Sequence, residues 1–398
     1  MPPALPSAPA GAGAGPLRIA LFSEVYWPMV SGVGVTLVRL ADALRARGHE
    51  VRVYSAAYAL PPGETERPEA HRSPSLPFFL YPDVQWAFPR LRDVLEDVAH
   101  FRPDVVHTAT EFAMGIAGLR AAQKLGLPLV ASAHTDYERY AGRYGMEWLL
   151  RTGWHYLRWF YGHAGRVLCP SRYYEGHLHR RGIRHTGIWT RGVDGDVFHP
   201  RWRSAAFRAS LGAGEGDLVV TYIGRLAKEK NLDLLLDAWA ALAPRLGNAR
   251  LVFVGRGPYA AEIRRRALPG VHLTGLLTGE ALSAAYASAD LFVFPSTTET
   301  FGNSVLEAMA SGLPCIVAAA GGLLEFAVHG ENAWLVEPDS GDAVVAALER
   351  LAGDAGLRRT LAQGALRTAQ ARQWDGIYDQ LLADYRAVAA AKHGSPAR

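Results

Sequence analysis

Residues 218–245, LVVTYIGRLAKEKNLDLLLDAWAALAPR, carry the decision about the fold. The first six form an apolar, strand-length run rich in β-branched and aromatic side chains. From 230 to 245 the apolar residues recur at helical spacing, and the pattern stops near Gly247, where a helix C-terminus favours glycine. Between the two lies a polar, cationic loop, Gly224 to Asn231. Strand, loop and helix in that order form the unit of a parallel sheet covered by helices.

Outward from this stretch the unit repeats. Strands are expected before it at 17–22, 50–55, 104–107, 128–133, 166–169 and 187–190, and after it at 250–254, 271–274, 290–294, 314–318 and 333–336. A helix over 35–47 ends at Gly48. The segment 195–217 breaks the rhythm with Pro200, Gly212, Gly214 and Gly216 and only a short helical patch at 203–210, so the domain boundary is placed there. Beyond residue 340 only helices are expected, the last over 374–391 with Trp374, Tyr378, Leu381 and Tyr385 on one face. The expected plan is a flexible tail (1–16), a first doubly wound α/β domain (17–198), a second (199–373), and a final helix (374–392) packing back toward the first. A crevice lies between the two domains.

Composition narrows the classes. A chain of 398 residues exceeds one ordinary core, and 49% apolar with 20% charged residues is globular usage. Apolar runs such as Leu251–Val254 and Leu291–Phe294 fall far short of the roughly 18 residues a spanning helix needs. Cys169 and Cys315 lie far apart in strand-like runs, so they read as buried small hydrophobes in a reducing, cytosolic setting. The first sixteen residues lack the basic start and apolar block of a secretory signal. A net charge of +4 is too modest to imply nucleic acid, and the surplus sits in the first half. Within 139–191 there are ten arginines against Glu147 and Glu175, interleaved with Tyr140, Tyr144, Trp148, Trp154, Trp159 and Phe160.

In an open parallel sheet, ligands bind beyond the carboxyl ends of the strands, where helix N-termini offer unpaired N–H groups. Four segments sit at such ends. After strand 17–22, Gly32 and Gly34 open a helix, either as a close-approach loop for phosphate or sugar or as a plain turn. After strand 218–223, Arg225 and Lys230 stand in a loop that can clamp a diphosphate; a solvated charge run reads the same way. After strand 290–294, Gly302 and Asn303 mark a helix start, so the amides of Asn303, Ser304 and Val305 point toward an anion. Glu299 precedes that start and Glu307 lies a turn inside, so both carboxylates can flank a ligand and accept sugar or ribose hydroxyls. After strand 128–133, His134 faces the crevice as an imidazole donor, one of fourteen histidines in the chain.

GRLAKEKN (224–231), VGRGP (254–258), ETFGNSVLEAMASG (299–312) and GGLLE (321–325), in that order, resemble the retaining glycosyltransferases of family 4, with their two-domain GT-B fold of facing Rossmann-like domains. The resemblance runs from about residue 17 to 390, and the pair Glu299 and Glu307 is its most specific part. FSEVYWPMVSGVG (22–34), ASAHTDY (131–137) and TRGVDGDVFHP (190–200) are similar to bacterial members that transfer mannose or a related hexose to lipid acceptors. The resemblance implies that Arg225 and Lys230 neutralise the donor diphosphate, and that the amides of Asn303, Ser304 and Val305 hold the distal phosphate and sugar. It gives Glu299 the sugar hydroxyls, Glu307 the ribose, His134 the transferred sugar near its anomeric centre, and Gly32 and Gly34 the approach to the diphosphate. Ser31 stands where the family usually has a first glycine. No Asp-x-Asp metal pair of the other major glycosyltransferase fold is expected, and no metal or other cofactor.

The implied reaction moves a hexose from a nucleoside diphosphate with retained α stereochemistry, with GDP-mannose preferred and UDP-hexoses open. The acceptor is a lipid or glycolipid. In 146–161, Glu147, Arg151, His155 and Arg158 form a polar stripe among Trp148, Leu149, Trp154, Leu157, Trp159 and Phe160. That pattern reads as a peripheral contact with anionic lipid at the inner face of the cell membrane, or as an ordinary helix packed on its sheet. A dinucleotide-dependent dehydrogenase is disfavoured, because Ser23-Glu24-Val25-Tyr26 follows the first strand in place of G-x-G-x-x-G. A sugar-nucleotide epimerase or phosphorylase, and a non-catalytic nucleotide-binding scaffold, remain open.

Overall fold

The structure is a computed structural model that describes residues 15–29, 31–78, 81–138, 148 and 150–393. The tail at 1–14, and Tyr140, Tyr144, Glu147 and Leu149 of the Arg-rich segment, lie outside the described residues.

The first half contains β1 (Arg18–Ser23), β2 (Glu50–Ala56), β3 (Ala70–Ser73), β4 (Ser75–Phe78), β5 (Tyr81–Ala87), β6 (Val105–Thr108), β7 (Leu129–Ser132), β8 (Arg166–Cys169) and β9 (Thr186–Ile188). Seven of these make a parallel sheet in the order β3-β2-β1-β6-β7-β8-β9, and β4 and β5 pair as an antiparallel ribbon beside it. The second half contains β10 (Val219–Ile223), β11 (Arg250–Val254), β12 (Val271–Gly275), β13 (Leu291–Phe294), β14 (Cys315–Ala318) and β15 (Trp334–Val336). These form a parallel sheet ordered β12-β11-β10-β13-β14-β15. The twelve strands expected from sequence are present. The additional ones, β3 to β5, lie in a segment holding Pro74, Pro77 and Pro82.

Both sheets are nearly all-buried along their central strands, because helices cover both faces. Chain order reverses between β1 and β6 in one sheet and between β10 and β13 in the other. The connections from those neighbouring strands run to opposite faces of the sheet, leaving a crevice at the strands' carboxyl ends, one in each domain.

The passage between domains comes earlier than the 198/199 boundary drawn from composition. Trp189 packs in the first domain's core, whereas Val193, Phe198, Leu211 and Ala213 already belong to the second. The glycines at 212–216 mark no linker. They lie beside Arg208, a buried side chain that bonds the carbonyls of Gly214, Asp217 and Ser288 and the Asp290 carboxylate. The chain returns between Ala369 and Trp374, and the amide of Val193 donates to the carbonyl of Arg372 at 3.0 Å, so the two passages run side by side. The final helix, Trp374–His393, then buries Tyr378, Leu381 and Tyr385 against the first sheet. Buried His107 on β6 bonds Tyr385 at 2.7 Å, and Arg166 pairs with Asp384 at 3.1 Å.

The helix Leu150–Tyr161 divides the apolar set named from sequence. Trp154, Leu157 and Phe160 are core residues of the first domain. Arg151, His155, Arg158 and Trp159 face outward, and Trp148 is 77% exposed. Among the described residues no helix is long and apolar enough to cross a membrane.

Candidate active site

Neighbouring strands β10 and β13 bring their loops together. Lys230, in the loop after β10, places its Nζ 2.6 Å from Oε1 of Glu299, in the loop after β13. The Ser296 hydroxyl donates to the same oxygen at 2.8 Å. Arg225 bonds Glu229 at 3.1 Å, and Glu229 is itself fully buried. Each cation of the expected clamp thus holds a carboxylate. The VGRGP segment straps this loop from behind: Gly224 N–H donates to the Val254 carbonyl at 3.0 Å, and Leu226 N–H to the Arg256 carbonyl at 2.8 Å. Gly257, at φ +154°, lies so close to Leu226 that a Cβ would overlap its carbonyl.

The helix Asn303–Ala310 begins at the same place, with Gly302 at φ +108° before it. Its first turn is narrower as an anion site than the sequence implied. Val305 N–H already donates to the Gly302 carbonyl at 3.1 Å, which leaves Asn303 and Ser304 as the open amides of that turn among the described residues. Behind them the Tyr286 hydroxyl donates to Glu307 Oε2 at 2.8 Å. Burial pushes the Glu307 carboxyl up to about 7, against the opposing pull of Tyr286 and of Arg39 from the first domain. GGLLE closes the floor: Gly322 N–H donates to the Glu299 carbonyl at 2.8 Å, and a Cβ on Gly322 would overlap the Thr300 carbonyl.

The first domain meets this loop directly. The Thr300 hydroxyl donates to the His134 carbonyl at 3.0 Å, and the Ser171 hydroxyl donates to the Thr300 carbonyl at 2.7 Å. Glu325 of GGLLE accepts from the Arg172 amide at 3.0 Å. Glu299 and His134 are thereby held on opposite sides of one residue, Thr300. The His134 ring accepts at Nδ1 from Arg191 at 2.9 Å, and its Nε2 is buried without a partner. Desolvation, then the nearby Arg191 charge, hold its imidazole well below the ordinary histidine range, so the ring is neutral.

The two glycines separate. A Cβ on Gly32 would touch only the Asn303 side-chain amide, at 3.8 Å, which places Gly32 at the crevice beside the second domain. Gly34 is buried inside the helix Gly32–Ala46, its N–H taken by the Ser31 hydroxyl at 3.0 Å, and a Cβ there would press on the Met29 carbonyl at 2.8 Å. It offers no free amide. The helix starts three residues before the expected 35 because Ser31 caps it. Arg191, Thr300, Tyr286 and Arg39 carried no role in the sequence reading. Arg191 lies within the quoted TRGVDGDVFHP and Thr300 within ETFGNSVLEAMASG, but each acts through a contact distant in sequence.

Two facing parallel-sheet domains, with cations, carboxylates and open helix amides at one switch point, define a GT-B glycosyltransferase. The fold agrees with solved structures: sucrose-phosphate synthase from Thermosynechococcus elongatus superposes with a TM-score of 0.78 at 23% identity, covering 94% of this chain and 100% of that one. Residues 30–197 match the family described as Glycosyltransferase Family 4, and residues 217–354 match Glycosyl transferases group 1. The chain is 36% identical to a GDP-mannose-dependent alpha-mannosyltransferase of Mycolicibacterium smegmatis, over 94% of this chain and 98% of the relative. It is 30% identical to an alpha-monoglucosyldiacylglycerol synthase of Streptococcus pneumoniae, over 75% of this chain and 70% of that protein. The chain belongs to glycosyltransferase family 4.

Proposed function

We propose that this glycosyltransferase moves mannose from GDP-mannose to a hydroxyl of a lipid or glycolipid, with retention at the anomeric carbon and without a divalent metal. The observation that carries the reading is the meeting of Lys230, Glu299 and the open amides of Asn303 and Ser304 at the end of β13, beside Thr300, whose hydroxyl bonds the His134 carbonyl. Arrival of the diphosphate draws Lys230 from Glu299 to a phosphoryl oxygen, freeing the carboxylate for sugar hydroxyls. Arg225 and the two amides share the charge that develops as the glycosidic bond breaks. Those fixed donors take the place of a metal ion. Glu307 accepts from the ribose diol, and the His134 Nε2–H bonds the departing sugar. Gly32 lets the first domain close on the diphosphate; Gly34 serves the helix instead. The mannose donor is supported by the likeness to the mannosyltransferase of Mycolicibacterium smegmatis, and the lipid acceptor by the likeness to the streptococcal alpha-monoglucosyldiacylglycerol synthase. Outward Trp148, Trp159, Arg151 and Arg158 supply the anionic-membrane contact, at the inner face of the cell membrane.

A thermal-shift panel of GDP- and UDP-sugars tests the donor, since a ligand of the folded form raises Tm. GDP-mannose is expected to give the largest shift, and a larger shift with a UDP-hexose would replace the donor. Product NMR with a lipid extract as acceptor is expected to show an α-mannoside formed at an unchanged rate in chelator. A β-linked product would refute retention.

A further inference from the structure

Arg191 is an unusual residue to bury. It is 5% exposed in the passage between the domains, and no carboxylate among the described residues pairs with it. Its Nη1 donates to the carbonyls of Trp189 at 2.6 Å and Thr190 at 3.2 Å, and its guanidinium stacks 4.6 Å from the Trp189 ring centroid. A buried cation held only by neutral groups is costly, so its arrangement calls for a use. The remaining bond supplies one: Nη2 lies 2.9 Å from Nδ1 of His134.

A guanidinium has donors only and keeps its proton at any ordinary pH. Nδ1 of His134 must therefore present its lone pair, and the ring's single proton is confined to Nε2. That atom is buried and has no partner, while the ring packs edge-on against Trp189 at 5.6 Å and the backbone carbonyl of His134 is bonded by Thr300. From these contacts we infer that Arg191 is a positioning residue, which fixes His134 as a neutral imidazole whose Nε2–H points into the donor site. The inference rests on the reading of His134 as a ligand of the transferred sugar. It adds the group that decides which nitrogen does the bonding.

The test uses the full chain labelled with 15N-histidine, with GDP-mannose as donor and a lipid extract as acceptor. Long-range 1H–15N correlation, with the His134 signals assigned by their loss in His134→Gln, is expected to show the Nε2–H tautomer in the wild type. Arg191→Met is expected to show mixed tautomers. Its kcat should fall about tenfold to a hundredfold, the range that follows from a misdirected hydrogen-bond donor, with KM for GDP-mannose little changed. Arg191→Lys, which keeps one donor and the charge, is expected to restore the tautomer and part of kcat, and it serves if the methionine variant fails to fold. The double variant Arg191→Met/His134→Ala is expected to be no slower than His134→Ala alone. Unchanged tautomer in Arg191→Met, or single effects that multiply in the double variant, would overturn the inference. Full activity in His134→Ala would instead remove the sugar-binding role of His134, while the tautomer measurement still decides what Arg191 does.

Discussion

Replacing Lys230 separates the chemistry of the clamp from its structural cost. Lys230 and Glu299 are paired at 2.6 Å, with side-chain exposures of 13% and 17%. Removing one member of a buried pair costs about 3–5 kcal/mol. The residual solvent here, and the Ser296 hydroxyl that still bonds Glu299, reduce the expectation to about 1–3 kcal/mol, which lowers Tm by several degrees. The catalytic loss has a different origin. Losing a fixed donor to the charge that develops on the leaving group costs about 2.7–4 kcal/mol in the transition state, or 100- to 1,000-fold in kcat. Lys230→Met reads the two apart, the rate loss by GDP release under donor saturation and the stability loss by thermal melting. The double variant Lys230→Met/Glu299→Gln removes both charges, so it is expected to recover most of the lost Tm and none of the lost rate. Turnover of Lys230→Met within tenfold of wild type, or recovery of rate in the double variant, would refute the assignment of Lys230 to the diphosphate.

Three further outcomes are expected. Glu307 holds its proton to about 7 in the folded chain, against 4.5 when unfolded, so its contribution to stability is present below 4.5 and is lost as pH rises through 7. Donor binding has the opposite sign: the ribose hydroxyls need the ionised carboxylate, so GDP-mannose affinity by calorimetry should rise through about pH 7, and Tyr286→Phe should move that midpoint upward. A flat affinity profile would remove Glu307 from the ribose. Gly322→Ala drives a methyl into the Thr300 carbonyl and should cost about 1–3 kcal/mol in melting experiments and abolish donor-induced stabilisation; wild-type Tm with a full donor shift would contradict the packing described. Arg151→Gln with Arg158→Gln should weaken co-sedimentation with anionic vesicles by on the order of 30-fold, at about 1 kcal/mol per charge, and Trp148→Ala should weaken it further; sedimentation indifferent to anionic lipid would dismiss the membrane contact.

What the sequence disclosed followed from how local each signal is. Core strands such as β10 and β13 carry their own evidence, because a strand buried on both faces must be apolar throughout. Strand β3 reads Ala-His-Arg-Ser, and its register beside β2 is supported by partners elsewhere in the chain: His71 meets Asp97, and Arg72 meets Glu66 and the Ser55 hydroxyl. Spacing cannot announce such partners. The charged loops at the strand ends were legible because glycine, cations and carboxylates follow apolar runs, yet the pairing of Lys230 with Glu299 required the strand order. Val305 and Gly34 illustrate the converse. Both occupy motif positions, but one amide is spent on Gly302 and the other on Ser31. The glycines near 214 suggest a domain boundary in sequence, whereas in the fold Arg208 bonds the Gly214 carbonyl and Arg250 that of Gly212.

The adjoining passages at Val193 and Arg372 make the second domain an insertion within the first, because the final helix belongs to the latter. The second domain enters and leaves through one doorway, so a rotation about an axis near that bond would disturb no strand in either sheet. Such a rotation carries Glu299 and Lys230 together, since both ride the same body, and changes only what they face. An opening of the crevice would part the contacts at Thr300 and Glu325. The same topology leaves the two ends of the second domain within hydrogen-bonding distance of each other.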